Sequence, residues 1–173
     1  MTLKNDMEEL DGWISKHCDE FADVPGNVKA AAYYFMILWS VFDKRHLERK
    51  GSRKLVAQYC DRLSDEVSFE PFQIYWDYYL QRFVSPTGLN EHFVGLVGND
   101  TETGRFIGPI ITAQQGAPKD KLATLVWISY LLRCNLVHGR KHKKKGISDQ
   151  YDNLMMGAKL MTEIMNLKLK PVG

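Results

Sequence analysis

Cysteine is scarce in this chain of 173 residues, and what there is does not pair. Cys18, Cys60 and Cys134 make an odd set with no paired spacing, which argues against a disulfide framework and makes a reducing cytoplasm the expected home. Nothing resembles a secretory leader. Long apolar runs are also lacking: the longest, Ala30 to Phe42, falls short of the roughly 20 residues that a membrane span needs, so no membrane partner is expected. An excess of charge of one sign is missing too. With 23 Lys and Arg against 21 Asp and Glu, the net charge is +2, and any affinity for nucleic acid has to come from local clustering. Neither GxxxxGK[ST] nor GxGxxG occurs, so a glycine-rich nucleotide cradle is not supported.

What is present is ordinary globular material, 45% hydrophobic and 25% charged, enough for a single domain over residues 1–173 with a real core. Leu3, Met7, Leu10, Ile14, Cys18 and Phe21 recur at helical spacing, and Pro25-Gly26 ends that helix. A second helix, for which Asn27 offers a cap, runs through AAAYYFMILWSVFDKRHLE and is apolar all round for three turns. Such a helix belongs in the centre of a bundle or at a subunit interface. Ser52 to Asp61 reads as a short helix, and Glu66 to Val84 as another, with Pro71 in its first turn. Ser85 to Lys119 holds 6 of the 13 glycines and 3 of the 6 prolines and reads as an insertion, in which FVGLV and RFIGPII could pair as a small β-hairpin around GNDTETG. A strongly apolar helix follows from Asp120, with Gly139 as its stop. A last helix, capped by Ser148 or Asp149, runs to about Leu167. The fold class expected is an all-α bundle with one Gly/Pro-rich insertion over residues 85–119.

The stretch richest in chemistry is Leu131 to Lys141, LLRCNLVHGRK, where an apolar helix runs out. Arg133 stays cationic and suits a phosphate, with five donors in a plane; His138 can take or give a proton near neutrality. Together they are a minimal kit for cutting RNA without a metal. A base removes the proton of the ribose 2′-hydroxyl, which attacks the adjacent phosphorus, and an acid protonates the departing 5′-oxygen. Asn135 lies three residues before His138 on the same helical face, placed to orient the imidazole or contact the phosphate. Five residues at about 100° each put Arg133 and His138 some 140° apart on an ideal helix, so they converge only through the reach of arginine or because the helix ends between them. Behind them Arg140, Lys141, Lys143, Lys144 and Lys145 add five positive charges with no acid among residues 140–145, a salt-dependent contact for an RNA backbone.

This stretch resembles the Arg-x4-x6-His signature of the HEPN superfamily, small helical proteins found among prokaryotic toxins and anti-phage nucleases. The signature here reads Arg133-Cys134-Asn135-Leu136-Val137-His138 followed by Gly139. Family members often carry a polar residue directly after the arginine, where this chain has Cys134, and some carry a tyrosine soon after the histidine, which residues 139–145 lack. The resemblance implies a bundle of four or five helices and an endoribonuclease leaving 2′,3′-cyclic phosphate and 5′-hydroxyl ends. It also implies a toxin or phage-defence role, an RNA partner such as tRNA or mRNA, and an antitoxin or defence-system protein as a further partner. A homodimer with two facing signatures forming a composite site is part of the same expectation. So is an acidic residue on an earlier helix facing the arginine, for which Asp43 and Glu48 are both candidates.

Other readings compete. The arginine and histidine could serve structure alone, in a non-catalytic HEPN module that binds RNA, a nucleotide or a partner protein. Cys134, His138 and His142 recur every four residues, but Gly139 interrupts the stripe and no acidic ligand is near, so no metal and no cofactor is expected. Tyr75, Trp76, Tyr78 and Tyr79 cover more than one face of their helix and are expected to pack rather than to stack on bases.

Overall fold

In the computed structural model the protein is described over residues 3–17, 24–137 and 150–169. Eight α-helices account for most of these residues: α1 (Leu3–His17), α2 (Gly26–His46), α3 (Arg53–Asp61), α4 (Gln73–Phe83), α5 (Glu91–Val97), α6 (Thr101–Ala113), α7 (Pro118–Val137) and α8 (Tyr151–Met165). A 3-10 turn, Glu70–Phe72, precedes α4 with Pro71 in its first positions, where the missing N–H costs nothing. The architecture is all-α, and no described helix is long and apolar enough to cross a membrane.

The central helix is α7. Leu122, Leu125, Ile128, Leu131 and Leu132 are buried on several sides of it, and helices α2 to α6 and α8 all pack against it. Its two buried hydroxyls satisfy themselves along the helix: Thr124 Oγ1 donates to the carbonyl of Asp120 (2.8 Å) and Ser129 Oγ to that of Leu125 (3.1 Å). The most extensive pairing, however, joins α2 to α8. Glycine makes it possible. A Cβ on Gly157 of α8 would stand 3.0 Å from the Phe35 ring of α2 and 3.2 Å from Leu132 of α7, so the two backbones meet where a side chain would hold them apart. Phe35, Trp39 and Phe42 on the inner face of α2 are all buried.

Only one side of this helix, apolar all round, is buried. Tyr33, Tyr34 and Ile37 lie on its outer face, and 63%, 57% and 42% of their surfaces stay exposed, which leaves an apolar stripe uncovered in the single chain. Its first turn is also not capped as expected: Pro25 takes the cap position, with no side-chain bond, and Asn27 sits inside the helix. By contrast Ser52, read from the sequence as the first residue of a short helix, is the cap of α3, accepting from the N–H of Leu55.

The segment over residues 85–119 is corrected most. FVGLV and RFIGPII are not strands: they belong to α5 and α6, capped by Asn90, which accepts from His92 and Phe93 N–H, and by Asp100, which accepts from Thr103 N–H. A two-stranded hairpin does occur, but earlier and very short, pairing Val84–Ser85 with Gly88–Leu89. Two of the glycines that suggested a loop, Gly104 and Gly108, serve close packing instead. A Cβ on Gly104 would lie 2.8 Å from Val97, so α6 can cross α5 only at a residue without one. Pro109 is accommodated inside α6. The aromatic group on α4 packs as expected, with Tyr75, Trp76 and Tyr79 buried.

Candidate functional site

Arg133 stands in the last full turn of α7, half-buried, with its Nε buried and lacking a hydrogen-bond partner among the described residues. A guanidinium in that state is costly unless something negative meets it. The element in front of it is the turn between α2 and α3. One terminal nitrogen of Arg133, Nη2, lies 3.8 Å from the point that a Cβ on Gly51 would occupy, and Asp43 Oδ2 lies 3.4 Å from the same point. Of the two acidic candidates it is thus Asp43 that shares the arginine's surroundings. Glu48 points its carboxylate to Lys50 instead, at 3.0 Å on the exposed surface.

Asp43 also ties the turn. Its carbonyl accepts from Leu47 N–H (2.9 Å) and Arg49 N–H (3.2 Å), and its Oδ1 accepts from Gly51 N–H (2.8 Å). These bonds hold Glu48, Arg49 and Gly51 with positive φ values of 54°, 61° and 48°. Left-handed backbone is free to glycine but unfavourable for the other two, and such strain persists only where the surroundings over-determine it. Leu47, fully buried, anchors the same turn from below.

Asn135 is used structurally. Its Nδ2 donates to the carbonyl of Leu96 at 3.0 Å, in the last turn of α5, where helix carbonyls lack partners of their own. Its Oδ1 is buried without a partner among the described residues. Asn135→Ala is expected to cost about 1 kcal/mol by orphaning that carbonyl. Urea denaturation would measure it, and an unchanged midpoint would remove the tether from the account.

Cys134 is a buried free thiol. Next to it, Tyr130 lies one turn before Arg133, and its phenol is pushed up to about 12 by burial and by the Cys134 thiol, so it stays a neutral donor. Sequence reasoning passed over Tyr130 and Gly51. The first had a usable signal, three residues before the arginine on one helix face; the second had none, since its role depends on a turn that brings distant residues together.

His138, Arg140, Lys141, Lys143, Lys144 and Lys145 lie outside the described residues, as do His142, Cys18, Ser148 and Asp149. Of the histidines that are described, His46 is partly buried between the Phe42 and Tyr59 rings, its Nε2 without a hydrogen-bond partner. Burial, then the nearby cations Arg45 and Arg62, holds its pKa below the usual value. A depressed folded value means that the unfolded chain binds the proton more readily. The contribution of His46 is thus fully present above about pH 6.5 and is lost as pH falls through its folded pKa. The melting temperature should drop on acidification below about pH 6.5, and His46→Gln should flatten that part of the profile. An equal acid slope in the variant would assign it to other groups.

Comparison with known proteins returned no match: no family model fits the chain, no curated protein is similar to it in sequence, and no solved structure is similar to it in fold. The site has to be read from its own residues. Among those described, no cluster of His, Cys, Asp and Glu is arranged to hold a metal ion.

Proposed function

We propose that the protein is a metal-independent endoribonuclease of the HEPN type, acting in the cytoplasm as a toxin or phage-defence effector. In this reading the ribose 2′-hydroxyl attacks the neighbouring phosphorus and the P–O5′ bond breaks, leaving a 2′,3′-cyclic phosphate and a 5′-hydroxyl. His138 moves a proton in that exchange, as base or acid. Arg133 holds the phosphate and stabilises the charge that builds on its oxygens. The free Oδ1 of Asn135 is an acceptor for orienting the imidazole, and Arg140, Lys141, Lys143, Lys144 and Lys145 draw in the RNA backbone.

The observation that carries this reading is the state of Arg133: a half-buried guanidinium with an unpartnered Nε, beside the carboxylate of Asp43, five residues before a histidine. Asp43 lies close by without an ion pair to the guanidinium among the described residues, which leaves Arg133 free to meet a phosphate. The exposed Tyr33, Tyr34 and Ile37 stripe on α2 supports a homodimer, whose second signature would supply the other proton-transfer group. An antitoxin or defence-system protein is a further partner on this reading.

A second reading is favoured by Asn135, one of whose amide donors is already taken by Leu96. It makes the protein a non-catalytic HEPN module that binds RNA, a nucleotide or a partner protein. Incubating the purified chain with total RNA and tRNA in excess EDTA, then analysing fragment ends, separates the two. Cyclic phosphate ends with DNA left intact are expected for the nuclease. Intact RNA, or 3′-hydroxyl ends, would sink it.

A further inference from the structure

A groove of about 460 Å³ opens between α3, α6 and α7, beside the Arg133 site rather than in it. Trp127 of α7 forms its floor and Phe106 of α6 one wall, the two rings edge to face with centroids 6.5 Å apart. Phe106 is 48% exposed, a large ring left uncovered at a rim. From the other side come Arg53 and Lys54, both in the first turn of α3. That turn contains no acid, so its two cations add to the positive end of the helix rather than offset it. The Arg53 guanidinium lies over the Trp127 ring at 5.9 Å and pairs with Glu102 of α6.

Two chains of neighbouring residues link the groove to the proposed reaction site. Arg53 follows Gly51 by two residues, and Gly51 faces Arg133. Trp127 contacts Tyr130 edge to face at 5.6 Å, and Tyr130 feels the charge of Arg133.

We propose that this groove is a nucleobase subsite, holding the base and phosphate of a nucleotide that neighbours the one bound at Arg133 in single-stranded RNA. The volume suits a nucleotide. The Phe106 ring and the Arg53 guanidinium offer the aromatic and cationic faces on which any base can lie. A bare anion is a poorer fit, because Asp61 and Glu102 line the same groove and match its two cations in number. A base accepts stacking and gives its ring or amine N–H groups to those carboxylates, while its phosphate meets Arg53 and Lys54. The Arg53–Glu102 pair yields readily, since the Glu102 side chain is 80% exposed and an ion pair so open to water is weak.

The choice of RNA rests on the nuclease reading, and the test keeps the two apart. Full-length protein would be titrated with a single-stranded hexaribonucleotide carrying 2′-O-methyl groups throughout, which cannot be cut by 2′-hydroxyl attack. The same hexamer without bases, AMP and inorganic phosphate would be run beside it. Phe106→Ala and Arg53→Gln change partly exposed side chains, and circular dichroism would confirm that both fold. Each is expected to weaken binding of the hexamer by about tenfold, with Phe106→Ala leaving the affinity for the base-free hexamer unchanged. AMP should bind and phosphate should not. Equal affinity of both variants for the hexamer, or no binding by the wild type, would overturn the subsite. Cleavage of RNA with groove variants as active and as tight-binding as wild type would sink the groove alone. Base-dependent binding through Phe106 by a protein that cuts no RNA would sustain the groove and remove the nuclease.

Discussion

His138→Ala is expected to cut RNA at least about a hundredfold more slowly than the wild type, with the melting temperature unchanged. Arg133 still occupies the last full turn of α7, still lies with Asp43 about Gly51, and on the proposed reading still binds a phosphate. What is lost is the one group of the signature whose proton comes and goes near neutral pH. Binding should survive, so the loss falls on the rate and not on the affinity. The measurement is single-turnover cleavage of tRNA in EDTA by both proteins, with affinity read from an uncleavable 2′-O-methyl RNA. A variant as fast as wild type would mean that the activity comes from another site or another protein. A variant that binds RNA much less tightly would recast the histidine as a contact residue. Loss of both fold and activity would be uninformative about chemistry, and thermal melting guards against it.

The largest effect on stability is expected at Phe35→Ala, about 3–5 kcal/mol. Phe35 is fully buried where α2 meets α8 and touches the space above Gly157. The close approach of those two helices leaves no side chain on the α8 backbone at that point, so α8 has nothing there to swing into the cavity. Leu132 of α7 lines the same space, which means that three helices lose contact at once. Urea unfolding followed by circular dichroism would measure the shift, and a loss below about 1 kcal/mol would show that the helices can close up over the gap. Because Leu132 adjoins Arg133 in sequence, a cavity there also loosens the turn that presents the arginine.

The comparison of expectation with structure divides along physical lines. Periodicity placed α3, α7 and α8 well, since an apolar face against a core leaves a plain trace in a sequence, and Ser52 marked its helix start by its own chemistry. The segment around Gly104, Gly108 and Pro109 misled because glycine and proline carry two meanings. Both interrupt helices locally, yet Gly104 and Gly108 are demanded by Val97, Leu89 and Phe93, residues whose closeness is a tertiary fact. The apolar surface of α2 was legible, but not which side of it would stay uncovered. In the site, Arg133 was visible from its position at a helix end. The selection of Asp43 over Glu48 was not, since it rests on a left-handed turn that sends one carboxylate inward and the other to Lys50.

That turn has a consequence for how the protein can change over time. The same aspartate holds the turn through three hydrogen bonds, two from its backbone carbonyl and one from its carboxylate, and lies near the arginine. A replacement of that side chain leaves the two carbonyl bonds in place but removes the one that holds Gly51, the residue facing the arginine. The shape of the turn and the surroundings of Arg133 thus meet at one side chain, and selection acting on Asp43 acts on both.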